Sequence, residues 1–148
     1  RREIMEMVAP SGPVYQAGTL SGNPVAMAAG IAQLSCLRDH GEVYRHIEAL
    51  GERLFGGLGE IVQRRGAPCC VNYIGSLGSL FFTPGPVTGF SSALQSDTAA
   101  YAAYFNRLIE AGIYMAPAQF EALFVSAAHG EAEIDRTLEA AEDFFKSW

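Results

Sequence analysis

A long amphipathic pattern followed by two β-rich runs limits what this chain can fold into. From Glu42, apolar residues recur at every third or fourth position, the spacing of a helix with one buried face. Gly66 and Pro68 end that helix, and small residues separate the two β-rich runs that follow, 69–74 and 79–83. A long helix that leads into two short strands, which form a hairpin or lie as two neighbouring strands, predicts an α+β architecture. The apolar positions of the helix are Val43, Ile47, Leu50, Leu54, Leu58 and Ile61.

The C-terminal half continues the alternation of helices and short strands. Ser96 or Asp97 is predicted to cap the next helix, because both side chains can accept a bond from an orphan helix N–H. His129 is expected to help cap the last helix. The predicted elements are a loop over 84–96, a helix to about 111, short strands over 113–115 and 123–126, and a helix over 131–146.

The N-terminal part contains a turn that leads into a second kind of helix. A short helix over 1–8 is followed by prolines and glycines, and Val14 starts an extended stretch with a tight turn. Asn23 is a good N-cap and Pro24 suits the first helical position. The helix that follows, to about Leu37, is apolar nearly all round, so we expect groups outside this chain to cover it.

The turn before Asn23 could hold an anion. Glycine N–H groups and the Thr19 hydroxyl precede a helix N-terminus there, which is a favourable arrangement for a phosphate or a carboxylate. From these residues alone, an ordinary loop with a helix cap remains the alternative.

Composition narrows the classes of partner and compartment. The 148 residues are 49% hydrophobic and 18% charged, which is typical of globular proteins. A net charge of -6 argues against nucleic-acid and anionic-membrane partners, and no apolar run is long enough to cross a bilayer. Three cysteines, an odd count, favour a reducing compartment, so the cytoplasm is the expected location. The first residue is not Met, which is consistent with a piece of a longer protein.

Three blocks of sequence resemble one enzyme family. Residues 15–24 read Tyr-Gln-Ala-Gly-Thr-Leu-Ser-Gly-Asn-Pro, residues 114–122 read Tyr-Met-Ala-Pro-Ala-Gln-Phe-Glu-Ala, and Ser-Ala-Ala-His occupies 126–129. Together they resemble the glutamate-1-semialdehyde 2,1-aminomutase family, which belongs to the class III aminotransferase-like pyridoxal-phosphate enzymes with the type I fold. The shorter Thr-x-x-Gly-Asn-Pro pattern alone is similar to class III aminotransferases in general.

The resemblance implies a C-terminal fragment of such an enzyme. Residues 1–40 would be the end of the large cofactor domain, and 41–148 the small α+β domain, a short, mainly antiparallel sheet with helices on one face. The implied reaction converts glutamate 1-semialdehyde to 5-aminolevulinate for tetrapyrrole (porphyrin) biosynthesis. The implied partners are a second subunit of a homodimer and the small-molecule substrate.

The resemblance also implies roles for five residues. Thr19 and Gly18 would bind the phosphate of pyridoxal 5'-phosphate held by the neighbouring subunit, although a turn hydroxyl that bonds its own backbone is the alternative for Thr19. Glu121 would be a substrate-site carboxylate rather than a plain exposed turn residue. Tyr15 and Gln16 would line the substrate pocket, with simple packing as the alternative.

No catalytic residue of the family is expected within this chain. The lysine that carries the cofactor as a Schiff base would lie upstream, because the only lysine here is Lys146, near the C-terminus. The isolated chain is therefore expected to be inactive and not to bind the cofactor stably. Two other functions stay open: a class III aminotransferase with a separate amino acceptor, and an interaction domain that has kept only the fold. The histidines and cysteines show no metal-ligand spacing.

Overall fold

A computed structural model describes residues 1–148. The chain forms two compact units, Arg1–Gly41 and Glu42–Trp148. None of the helices combines the length and the apolarity needed to cross a membrane.

The first unit holds the turn and the apolar helix. Its helices are α1, Arg2–Met5, and α2, Pro24–Asp39. The side chain of Asn23 accepts bonds from the N–H groups of Val25 and Ala26 at 3.0 and 3.1 Å, which confirms the predicted cap. No residue of α2 is buried, and the side chains of Val25, Met27, Ile31 and Leu34 are each at least half exposed.

The second unit has the predicted α+β architecture. Its elements are α3, Gly41–Arg65; β1, Cys70–Ile74; β2, Leu77–Phe81; α4, Phe90–Ala93; α5, Thr98–Glu110; β3, Leu123–Phe124; and α6, Glu131–Ser147. The three strands form one antiparallel sheet in the order β1-β2-β3. β1 pairs with β2 from Cys70 opposite Phe81 to Ile74 opposite Leu77, so the predicted hairpin is confirmed.

The helices cover one face of this sheet. Leu80 of β2 is buried, and the ring of Phe55 on α3 stacks on Tyr73 of β1 with centroids 5.6 Å apart. A glycine at position 78 is required there, because a Cβ would lie 2.6 Å from the Phe55 ring. Six aromatic residues pack together at the other end of this core: Phe82, Tyr101, Tyr104, Phe144, Phe145 and Trp148.

The C-terminal segments depart from the prediction at two places. The segment 113–115 is not a strand: the N–H of Ile113 bonds the Leu108 carbonyl at 2.8 Å, and no strand pairs with it. The loop over 84–96 contains the short helix α4, because the Ser92 hydroxyl accepts bonds from the N–H groups of Thr88 and Gly89.

The structure also shows which residues cap α5 and α6. Asp97, rather than Ser96, caps α5 through bonds to the N–H groups of Ala99 and Ala100. The expectation that His129 caps α6 is wrong. Its Nδ1 accepts a bond from the Ser126 N–H at 3.0 Å, and Glu133 caps the helix by accepting from the Gly130 N–H at 2.8 Å.

Ion pairs join α3 to α6 on the outer surface. Arg53 forms a two-pronged pair with Asp135 at 2.7 and 2.9 Å, and both Arg64 and Arg65 bond Glu142. Hydrogen bonds from these arginines hold the pKa values of both carboxyl groups below their ordinary range.

We expect these pairs to make the stability of the second unit pH-dependent. A lowered folded-state pKa adds stability above the unfolded-state pKa, near 4.5 for glutamate, and that stability is lost as pH falls through the folded value. Urea unfolding at neutral pH and below pH 4 gives the free energy of unfolding that is lost in acid. This loss should be smaller for Glu142→Gln than for the parent. Glu139→Gln, on the same helix, should lose as much unfolding free energy in acid as the parent does. Equal losses in all three proteins would contradict the prediction.

Candidate functional site

The predicted anion-binding turn is exposed and has unused donors. Hydrogen bonds from the Ser21 N–H to the Gly18 carbonyl and from the Asn23 N–H to the Leu20 carbonyl, both 3.0 Å long, shape it. The Thr19 hydroxyl makes no hydrogen bond within the structure, and neither do the N–H groups of Gly18 and Thr19. These three donors are therefore available to an external acceptor.

The same turn explains why a glycine occupies position 18. A Cβ at Gly18 would lie 2.3 Å from the Ser21 Oγ, so a larger residue would displace that side chain. The two residues before the turn are exposed rather than packed: Tyr15 is 84% exposed, and Gln16 is also on the surface.

Glu121 lies at a cavity in the second unit. The cavity has a volume of about 410 Å³ and is bounded by the segment 113–117, β3 and α6. Its polar lining comes from Glu121, Glu133, His129 and Thr137, while most of its remaining wall is apolar. A carboxylate beside a largely apolar wall suits a ligand that carries an ammonium group. The apolar lining includes Leu54, Ile113, Met115, Leu123, Val125 and Ile134.

Gln119 anchors the loop that carries Glu121. Its side chain is 3% exposed, donates to the Leu80 carbonyl at 2.7 Å and accepts from the Phe82 N–H at 3.2 Å. Sequence reasoning missed this residue, because a single amide in a loop gives no periodic signal. Its position within the block 114–122 was the one available hint.

Tyr101 provides a second anchor for the same loop. Its hydroxyl donates to the Ala116 carbonyl at 2.6 Å. Burial, and to a smaller extent the negative charge of Glu121, raise the pKa of Tyr101 to about 12, so it stays a donor at neutral pH. Tyr104, one turn along α5, is fully buried, and its hydroxyl has no partner.

The remaining nucleophilic and ligand-type residues form no second site. Burial raises the pKa of Cys69 to about 12, which keeps this thiol protonated and unreactive. No group of three histidine, cysteine or acidic residues is arranged to hold a metal ion.

The five predicted site residues fall into two groups. Gly18 and Thr19 lie in one turn of the first unit with Tyr15 and Gln16 just before it, and Glu121 belongs to the second unit. Gln119 and Tyr101 join the second group because they hold its loop.

Comparison with known proteins finds relatives that share one name. A protein of Desulforudis audaxviator named glutamate-1-semialdehyde 2,1-aminomutase is 58% identical over 99% of this chain, and one of Thermus thermophilus with the same name is 53% identical over 95%. Over nearly its whole length, the chain is therefore similar to part of these proteins. It spans about a third of those relatives, 34% and 33% of their lengths. No protein-family model matches it.

Solved structures confirm the fold of the chain. A β-phenylalanine aminotransferase from Variovorax paradoxus matches 99% of the chain at a TM-score of 0.75 and 27% identity, over 34% of its own length. A transaminase with bound pyridoxal phosphate matches 99% of the chain at a TM-score of 0.72 and 28% identity, over 33% of its own length. A glutamate-1-semialdehyde aminomutase from Pseudomonas aeruginosa matches 71% of the chain at a TM-score of 0.64 and 17% identity, over 23% of its own length. This match is a likeness of fold alone.

Proposed function

We propose that the longer protein to which this chain corresponds is a pyridoxal-phosphate-dependent aminomutase that converts glutamate 1-semialdehyde to 5-aminolevulinate for tetrapyrrole synthesis. The observation that carries this proposal is the 53–58% identity, over nearly the whole chain, to proteins named for that activity. The three free thiols favour a cytoplasmic location.

The turn at Thr19 suits the phosphate of the cofactor. Its hydroxyl and the N–H groups of Gly18 and Thr19 are exposed donors without internal partners, and a doubly charged phosphate is a strong acceptor. We assign these residues to the phosphate of the cofactor held by a second subunit, which makes the active protein a homodimer. When bound, the cofactor supplies an electron sink for the chemistry at the amino-bearing carbon.

Glu121 is assigned to the substrate. Its carboxylate can accept hydrogen bonds from the ammonium group of a bound amino aldehyde and so orient the carbon that exchanges the amino group. It can also hold a proton beside that carbon. The apolar wall of its cavity reduces the access of water to the bound group. Tyr15 and Gln16 are assigned to the lining of a substrate pocket.

The proposal also assigns the two units to domains and limits what the chain does alone. Residues 1–40 are assigned to the end of the large cofactor domain and 41–148 to the small α+β domain. Lys146 is exposed and pairs with Asp143 at 3.0 Å, so it is poorly suited to carry the cofactor. The rest of the protein must supply that lysine, and the 148-residue chain alone should form no product.

The decisive assay uses the full-length protein with glutamate 1-semialdehyde and no added amino acceptor. Formation of 5-aminolevulinate supports the aminomutase. An absolute requirement for a separate acceptor would make the protein a class III aminotransferase; two structural neighbours are named as a transaminase and an aminotransferase. Failure of the full-length protein to bind pyridoxal phosphate would instead favour an interaction domain.

Thr19→Val tests the phosphate assignment in the same protein. The substitution removes the hydroxyl but keeps the shape, and a hydrogen bond to a charged group contributes about 1.5–3 kcal/mol. We therefore expect cofactor affinity to fall at least about tenfold, measured by equilibrium dialysis or cofactor fluorescence. Thr98→Val makes the same chemical change at an exposed threonine of the other unit and should leave affinity unchanged. Equal affinities of the two variants would refute the assignment.

A further inference from the structure

The loop that carries Glu121 is fixed at two points by buried side chains. Tyr101 on α5 holds the Ala116 carbonyl, and Gln119 bonds both the Leu80 carbonyl and the Phe82 N–H at the end of β2. The Glu121 N–H then bonds the Ala118 carbonyl at 3.1 Å, which closes a turn over residues 118–121 that contains the second anchor.

We infer that Tyr101 and Gln119 are positioning residues that set where the Glu121 carboxylate stands in the site. This inference rests on the role proposed for Glu121. Neither residue lines the cavity, so each acts on a ligand only through the loop. With the backbone held at Ala116 and at residue 119, the short segment up to Glu121 keeps few free torsions.

The hydrogen bonds made by Gln119 and Tyr101 would be costly to lose. The Leu80 carbonyl and the Phe82 N–H both belong to buried residues, and the Gln119 amide satisfies both of them. The orientation of the amide follows from these partners, because a carbonyl needs a donor and an N–H needs an acceptor. The Tyr101 ring is packed among Phe82 and Tyr104, so its hydroxyl is itself well fixed.

The chain provides a matched pair of variants for the test. Tyr101→Phe removes the hydroxyl that holds the Ala116 carbonyl and keeps the ring in the core. Tyr104→Phe makes the same change three residues along α5, where the buried hydroxyl has no partner. Gln119→Met, of similar length, removes the second anchor and provides an independent variant.

Two measurements separate positioning from a general effect on folding. In the full-length enzyme, Tyr101→Phe should lower kcat/KM about ten- to a hundredfold, because a misplacement of about 1 Å costs up to that much. Tyr104→Phe should stay within about twofold of the parent. In the 148-residue chain, hydrogen exchange at the Glu121 N–H should speed up in Tyr101→Phe and Gln119→Met, while exchange at core amides of α3 stays unchanged.

The outcomes distinguish failure of the positioning role from failure of the proposed function. If Glu121→Gln lowers kcat/KM and both anchor variants leave it unchanged, the positioning role is overturned and the proposed function stands. If Glu121→Gln has no effect, the role of Glu121 and its positioning both fall. If the parent enzyme makes no 5-aminolevulinate, the proposed function fails. In that case hydrogen exchange at the Glu121 N–H still tests whether Tyr101 and Gln119 anchor the loop. Unchanged exchange rates in both anchor variants would overturn the anchoring.

Discussion

Replacing Phe55 by alanine should lower the free energy of unfolding of the second unit by about 3–5 kcal/mol. The side chain is 0% exposed, stacks on Tyr73 and covers Gly78 of the neighbouring strand. Truncation would remove its apolar contacts and leave a cavity between α3 and the hairpin, where the strands cannot move in without breaking their pairing. Unfolding by urea, followed by the fluorescence of the single tryptophan, Trp148, measures the loss.

Phe90→Ala is the control for Phe55→Ala. Phe90 begins α4 and is 73% exposed, so the same truncation there should change stability by no more than about 0.5 kcal/mol. A similar loss in both variants would mean that Phe55 does not close the interface between α3 and the sheet.

A second large loss is expected for Gly51→Ala, one turn earlier on α3. The added methyl group would lie 2.2 Å from the Gly75 carbonyl oxygen and 2.9 Å from the Ser76 Cα. Because these are backbone atoms, no rotamer change can relieve the clash. We expect a loss at or above the upper end of the usual overpacking cost of about 1–3 kcal/mol, although alanine is the better helix former.

On the same helix, Gly59→Ala should raise the stability that Gly51→Ala lowers. A Cβ at Gly59 meets nothing within 4 Å, so only the helix preference remains, and stability should rise by about 0.5–1 kcal/mol. Opposite signs for the two variants, measured by the same urea titration, would show that α3 approaches the hairpin closely at Gly51. A gain in stability in both variants would contradict that approach.

The elements predicted from sequence are those whose signals are local. Asn23 and Asp97 cap their helices through bonds to residues two and three positions ahead, so the sequence alone could indicate them. The apolar spacing of α3 and α6 and the glycine between β1 and β2 are equally local. The α+β class followed from these elements.

One error depends on strand partners distant in sequence, and the other on a choice between nearby partners. Residues 113–115 have the composition of a strand, but no neighbouring strand pairs with them. His129 precedes a helix and was expected to cap it, yet its ring bonds the Ser126 N–H, and the carboxylate of Glu133 takes the capping position. At this cap two nearby side chains were chemically acceptable, and only the folded structure shows that Glu133 is the one used.

The sequence by itself determined the long helices, the Asn23 cap, the antiparallel pairing of β1 with β2 as one of two options, and the blocks that resemble the aminomutase family. Only the tertiary structure decided what holds Glu121: the Gln119 amide finds its partners 37 and 39 residues away, and Tyr101 lies 15 residues from Ala116. A cap or an apolar repeat is set by bonds within one helical turn. An anchor of this kind depends on how the sheet, α5 and the loop pack together, and its side chain carries no periodic pattern.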